Sequence, residues 1–85
     1  MAAAATAFVY LLRCGDGTLY CGWTNDVERR LEQHQAGRAS RYTRSRLPVE
    51  VVWSKPMASR SEAMREEALI KRLSRSEKLR LTESG

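Results

Sequence analysis

Tyr20 is followed ten residues later by Arg30, which has Arg29 beside it and His34 one helical turn beyond. On a helix turning about 100° per residue, Arg30 and His34 fall on the side of the apolar Val27 and Leu31, whereas Arg29 falls on the solvated side. A guanidinium at the edge of an apolar face is costly unless it is paired, faces an anion or extends its head into water. His34 in such a place is either a satisfied, half-buried ring or a proton carrier. Further along, Glu66 and Glu67 lie inside the broad apolar arc of Ala63, Met64, Leu69, Ile70 and Leu73. A carboxylate there needs a cation, a hydrogen bond or a metal. Lys71, one turn beyond Glu67, offers an ordinary ion pair, and periodicity does not choose between the two glutamates. Cys14, Cys21 and His34 follow no common zinc spacing and lack a fourth ligand.

These groups must be positioned by a chain of 85 residues, which leaves room for one domain over 1–85. A core of this size is thin, because so short a chain buries only about 60% of its unfolded surface. Lys and Arg number 15 against 10 Asp and Glu, and the net charge of +5 favours a polyanionic partner, nucleic acid first. The opening "MAAAATAFVYLL" has no basic region before its apolar run, unlike a secretory signal. No stretch approaches the roughly 18 apolar residues of a membrane helix. The reading is a cytoplasmic protein with no membrane association, its two thiols reduced. Residues 1–6 read as a loose leader, 7–73 as the core and 74–85 as a C-terminal helix and tail.

"AFVYLLRC" (7–14) reads as a strand apolar on both faces, hence central or covered by helices. "GDG" is a turn signal and "TLYCGWT" a second strand. With Asp16-Gly17 as a two-residue turn, Cys14 faces Leu19, Tyr20 lies opposite Arg13 and Tyr10 pairs with Trp23. That register puts the two tyrosines on opposite faces, and a bulge or longer turn would shift it. Gly22 inside a strand marks a bulge or a close approach by another group. Asn25 and Glu28 have capping-box spacing for a helix that Gly37 ends. "RASRYTRSRLP" is a basic loop holding Arg38, Arg41, Arg44 and Arg46 around Tyr42. Residues 49–54 form a third strand. Ser59 with Glu62, and Ser74 with Glu77, open helices over about 60–73 and about 74–81. The fold class is α/β (α+β): a small, three-stranded, mainly antiparallel sheet flanked by helices, in the order ββαβαα.

"VYLLRCGDGTLYCGWTNDVERRLEQH" resembles the GIY-YIG nuclease domain. The first family tripeptide appears as "FVY" ending at Tyr10 and the second as "YCG" from Tyr20 to Gly22; the family arginine falls on Arg30. "AMREE" places the family's metal-binding glutamate at Glu67. His34 to Gly37 and Tyr42-Thr43 match patterns of the small stand-alone bacterial members. "FVY" lacks the glycine of the family name. Trp23 stands where the excision-repair nucleases carry lysine, so the basic loop would have to supply that cation. The resemblance implies an endonuclease that hydrolyses DNA with one Mg²⁺ or Mn²⁺ held by Glu67, in a DNA repair setting. Arg30 would clamp the scissile phosphate, Tyr10 and Tyr20 would orient or deprotonate the water, and His34 would relay the proton or bond a phosphate. Arg38, Arg41, Tyr42, Thr43 and Arg44 would bind the nucleic acid, with DNA favoured over RNA. A monomer is expected, with a protein partner for targeting. The rivals are a nucleic-acid-binding module or a protein-interaction module that keeps the fold without the chemistry.

Overall fold

The computed structural model describes residues 6–84, so the expected leader lies outside the described residues except for Thr6. Three strands, β1 (Ala7–Arg13), β2 (Leu19–Thr24) and β3 (Glu50–Met57), form one antiparallel sheet in the order β2-β1-β3. The helices are α1 (Val27–Gln35), the single-turn α2 (Arg41–Arg44), α3 (Arg60–Lys71) and α4 (Arg75–Ser84). With α2 set aside, the order is ββαβαα. β1 is central because both of its faces are apolar and both are covered. Pro56 sits on the edge strand β3, where a missing N–H costs no ladder bond.

The sheet separates two cores. Ala7, Val9, Leu11 and Cys21 face α3, packing against Ala63 and Ile70 with Trp23, Leu73 and Leu81 at the margin. Tyr10, Leu12, Cys14 and Val49 face the other way and meet Tyr20, Leu31 and Val51. Both cysteines are buried and free, one in each cluster. Burial pushes the Cys21 thiol up to about 11, so it stays protonated at neutral pH.

Several local expectations are corrected. The strands are joined by residues 14–18 instead of a two-residue turn, with Cys14 N donating to Thr18 O at 2.8 Å and Gly17 N to Cys14 O at 2.9 Å. Arg13 therefore pairs with Leu19, Leu12 with Tyr20 and Tyr10 with Gly22. Moving the register by one residue puts Tyr10 and Tyr20 on the same face. The cap of α1 is Asp26, not Asn25: Thr24 Oγ1 accepts from Asp26 N at 3.1 Å, and Asp26 accepts from Arg29 N at 3.1 Å. Gly37 does end the helix, in the left-handed region at φ 75°. The basic segment is not all loop, since Ser40 caps the turn of α2 through Tyr42 N. β3 runs to Met57, three residues past the expected end. Ser74 and Glu77 form the reciprocal capping box expected ahead of α4, at 3.0 and 3.2 Å.

Candidate active site

A groove of about 430 Å³ crosses the edge strand β2. One wall comes from α1 and the turn before it, with Asn25, Asp26, Arg29, Arg30 and Gln33; Arg60 and Glu67 of α3 form the other. Tyr10 and Tyr20 reach it from the sheet, beside Gly22. The groove is continuous across the edge because Gly22 has no side chain. A Cβ there would lie 2.5 Å from the Tyr10 hydroxyl oxygen. The expected close approach at Gly22 is therefore the phenol of the residue paired with it.

His34 is 1% exposed and Thr43 fully buried. Tyr10 Oη lies 2.9 Å from His34 Nε2, and His34 Nδ1 lies 2.8 Å from Thr43 Oγ1. The Thr43 hydroxyl donates to Ser40 O at 3.3 Å, so its oxygen is the acceptor for His34 Nδ1–H. Nε2 then carries the lone pair, and Tyr10 O–H donates to it. Burial, and next the Arg30 guanidinium, lower the imidazole to about 4, so it is neutral at pH 7. Burial foremost, then Tyr20, raise the Tyr10 phenol well above the ordinary tyrosine range, with Arg30 opposing them. Thr43, expected to touch nucleic acid, is out of a ligand's reach and orients His34 instead. Gln35 holds α1 in place by donating to Val49 O at 2.5 Å and accepting from Val49 N at 3.1 Å.

Arg30 is half-buried and donates from Nη1 to Gln33 Oε1 at 3.0 Å. Its Nε is buried and has no hydrogen-bond partner among the described residues. Arg29 is exposed as expected, yet it also borders the groove. Helical periodicity fixes where the residue leaves the helix, not how far a long side chain reaches. The two glutamates are separated by their neighbours. Glu66 lies 3.8 Å from Lys55, whereas Glu67 lies 3.7 Å from Lys71 and lines the groove. The Cys21 thiol contacts Glu67 O at 4.0 Å, tying this turn of α3 to β2.

The basic segment joins the site through Tyr42. Its ring stacks on Tyr20 at 5.8 Å, and Tyr20 meets His34 edge-on at 5.3 Å. Arg46 caps Tyr42 at 3.9 Å and pairs with Asp16 at 3.0 Å, so it braces the segment. Arg38, Arg41 and Arg44 are exposed and form no ion pair among the described residues. At position 23 the neighbouring cation is Arg60, whose guanidinium lies 5.5 Å from the Trp23 ring centroid. Gly22, Gln33 and Arg60 were not among the expected site residues. Only Gly22 carried a local signal, as a glycine inside a strand.

Glu67 is the carboxylate that could hold a metal. Among the described residues there is no cluster of three or more His, Cys, Asp and Glu side chains. A single carboxylate suits Mg²⁺, which keeps several waters and shares the oxygens of a bound phosphate. The donor set therefore fits one hard divalent ion completed by water and substrate.

Two tyrosines, an arginine with one buried unpaired donor and the Glu67 carboxylate thus line one groove across the edge strand β2. The chain belongs to the GIY-YIG family: the family model, described as the GIY-YIG catalytic domain, matches residues 6–80. This places it in the nuclease superfamily, whose members generally use a divalent metal. It is 52% identical over 73 residues to the UPF0213 protein SAG0778 of Streptococcus agalactiae, covering 86% of this chain and 83% of that one. A UPF0213 protein of Natronomonas pharaonis is 51% identical over 78 residues, 92% of each chain. The solution structure of the UPF0213 protein BH0048 from Bacillus halodurans superposes with a TM-score of 0.58 at 43% identity, covering 91% of this chain and 82% of that one. That of EF2693 from E. faecalis gives 0.61 at 34%, covering 98% and 86%. No helix among the described residues is long and apolar enough to cross a membrane.

Proposed function

We propose that this protein is a one-metal endonuclease hydrolysing phosphodiester bonds of DNA, with preference for single-stranded or branched substrates. The observation that carries the reading is Arg30 Nε, a buried donor without a partner, in a groove shared with Tyr10, Tyr20 and Glu67. A buried cationic donor left unpaired is expensive unless an anion completes it. A phosphate oxygen, facing the planar fork, would do so.

In this mechanism Arg30 orients the scissile phosphate and stabilises the charge that builds on it. Tyr10 accepts a hydrogen bond from the attacking water. As the water oxygen bonds to phosphorus, its proton passes to Tyr10 Oη while the Tyr10 proton moves to His34 Nε2. The bond to the leaving oxygen breaks, and that oxygen takes a proton from solvent. The low basicity of neutral His34 is set against a bound phosphate, whose negative charge favours the imidazolium. Tyr20 borders the water and fixes Tyr42 at the mouth. A Mg²⁺ or Mn²⁺ on Glu67 would supply charge neutralisation at the phosphate and leaving oxygen. Arg38, Arg41 and Arg44 hold the flanking strand.

One observation favours a second reading, a nucleic-acid-binding module: Glu67 already has a partner in Lys71. A cleavage screen over labelled single strands, flaps, forks and duplexes, with and without Mg²⁺, separates the two readings. Metal-dependent hydrolysis that disappears in Glu67→Gln supports the nuclease. Binding without hydrolysis on every topology supports the module.

A further inference from the structure

The groove has a second cationic wall that the proposed chemistry leaves unused. Arg60 is the first residue of α3, and its position is set by the Ser59 cap, which accepts from Glu62 N at 3.1 Å. Its guanidinium lies 5.5 Å from the centre of the Trp23 ring, within cation–π range. It forms no ion pair among the described residues, although Glu67 lines the same groove. Trp23 is itself held by the apolar core beneath α3. The indole thus steadies the cation without neutralising it. Arg30 and Arg60 flank the edge strand from opposite walls, and Gly22 leaves the path between them open.

We propose that Arg60, steadied on Trp23, binds the phosphate next to the scissile one, so that the substrate strand crosses β2 from the α1 wall to the α3 wall. The inference rests on the groove being the phosphodiester site. A nucleic-acid strand carries a negative charge at every nucleotide, so a strand with one phosphate on Arg30 must place the next along the groove or out of it. Arg60 makes the groove the favourable course. Its role is binding and alignment of the strand, not proton transfer.

The test uses Glu67→Gln as the uncut background and a labelled single-stranded oligodeoxynucleotide as the probe, titrated over a salt series. Each phosphate contact on a single strand contributes about 0.7 to the slope of log K against log salt. Arg60→Ala should flatten the slope by about this amount and weaken binding by roughly tenfold at low salt. Arg60→Lys should keep the slope. Arg65→Ala, which removes the same charge from an exposed position of the same helix outside the groove, should also keep it. Trp23→Lys added to Arg60→Ala should restore it, provided circular dichroism shows both proteins folded. A slope unchanged by Arg60→Ala but flattened by Arg30→Ala overturns the inference and leaves the groove reading intact. If neither arginine affects the slope, the groove reading itself falls. Equal flattening by Arg65→Ala shows diffuse charge and also overturns the proposal.

Discussion

The two faces of the sheet are built from one strand but differ in what they bury. Odd positions of β1 present Ala7, Val9 and Leu11 to α3, an apolar core completed by Ala63 and Ile70. Even positions present Tyr10 and Leu12 to α1, where burial includes a hydrogen-bonded chain from Tyr10 through His34 to Thr43. The first face stabilises by removing apolar surface from water, at about 25 cal/mol per Å². The second keeps buried polar groups because each has a partner, which fixes their orientation. Arg30 Nε is the exception on that side, for Arg46 Nε, which also lacks a hydrogen bond, lies 3.0 Å from the Asp16 carboxylate. Glu67 is the exception on the other, a carboxylate from the packing helix that reaches the groove at the sheet edge. Apolar packing and the buried polar chain are thus divided by side-chain parity, and the two faces meet where Gly22 opens the edge.

The division is broken most severely at Glu67. Glu67→Gln should abolish metal-dependent cleavage while leaving oligonucleotide binding within about twofold and stability within about 0.5 kcal/mol, the range of a surface i,i+4 pair. Cleavage assays beside thermal melts check this, and a dead Glu66→Gln with an active Glu67→Gln would reverse the assignment. Leu11→Ala, on the packing face, should do the opposite. It should cost about 2–5 kcal/mol in urea titration, with specific activity per folded molecule preserved. Loss of activity in well-folded Leu11→Ala would show that the faces are not separable.

Arg30→Ala should lower cleavage about 100-fold, roughly 3 kcal/mol of transition-state stabilisation. Arg29→Ala, at the mouth of the same groove, should fall well short of that; equal losses would mean that burial of the guanidinium does not matter. Replacing Arg38, Arg41 and Arg44 together by Ala should flatten the salt dependence of binding by about 2 in log–log slope. An unchanged slope would remove α2 and its approach from the interface.

The buried face also sets a pH dependence. The imidazole of His34 is lowered from 6.5 to about 4 in the folded protein. Between those values the unfolded chain takes up a proton that the folded chain does not. Stability contributed by the neutral ring is therefore complete above about 6.5 and declines as pH falls toward about 4, by at most about 1.4 kcal/mol per unit. Below about 4 this contribution levels off. His34→Gln should remove that component from the pH profile of the melting temperature. A profile identical to the parent's would mean that His34 titrates normally.

Much of this arrangement was legible in the chain. Strand β1 reads as central because it is apolar at odd and even positions alike. Arg30 and His34 stood apart from Arg29 because helical periodicity alone decides which side of α1 they leave. Gly37 and Ser74 marked helix ends because capping is a local matter of a few backbone groups. Glu66 and Glu67 were not separable, since adjacent positions in a broad apolar arc differ only in which neighbouring element they meet.

The elements other than the single-turn α2, their order, the basic balance of charge and the residue types able to handle a phosphate could all be read from the amino-acid sequence. These follow from periodicity, capping and composition, which act over a few residues. Tertiary structure decided the register that brings Tyr10 and Tyr20 to one face, because residues 14–18 close the hairpin through bonds that no turn dipeptide announces. It also decided that Thr43 serves His34 and that Arg60 and Glu67 share a groove with Arg30. Those groups lie far apart in the chain, and only the packing of α1 and α3 on either side of one short edge strand brings them together.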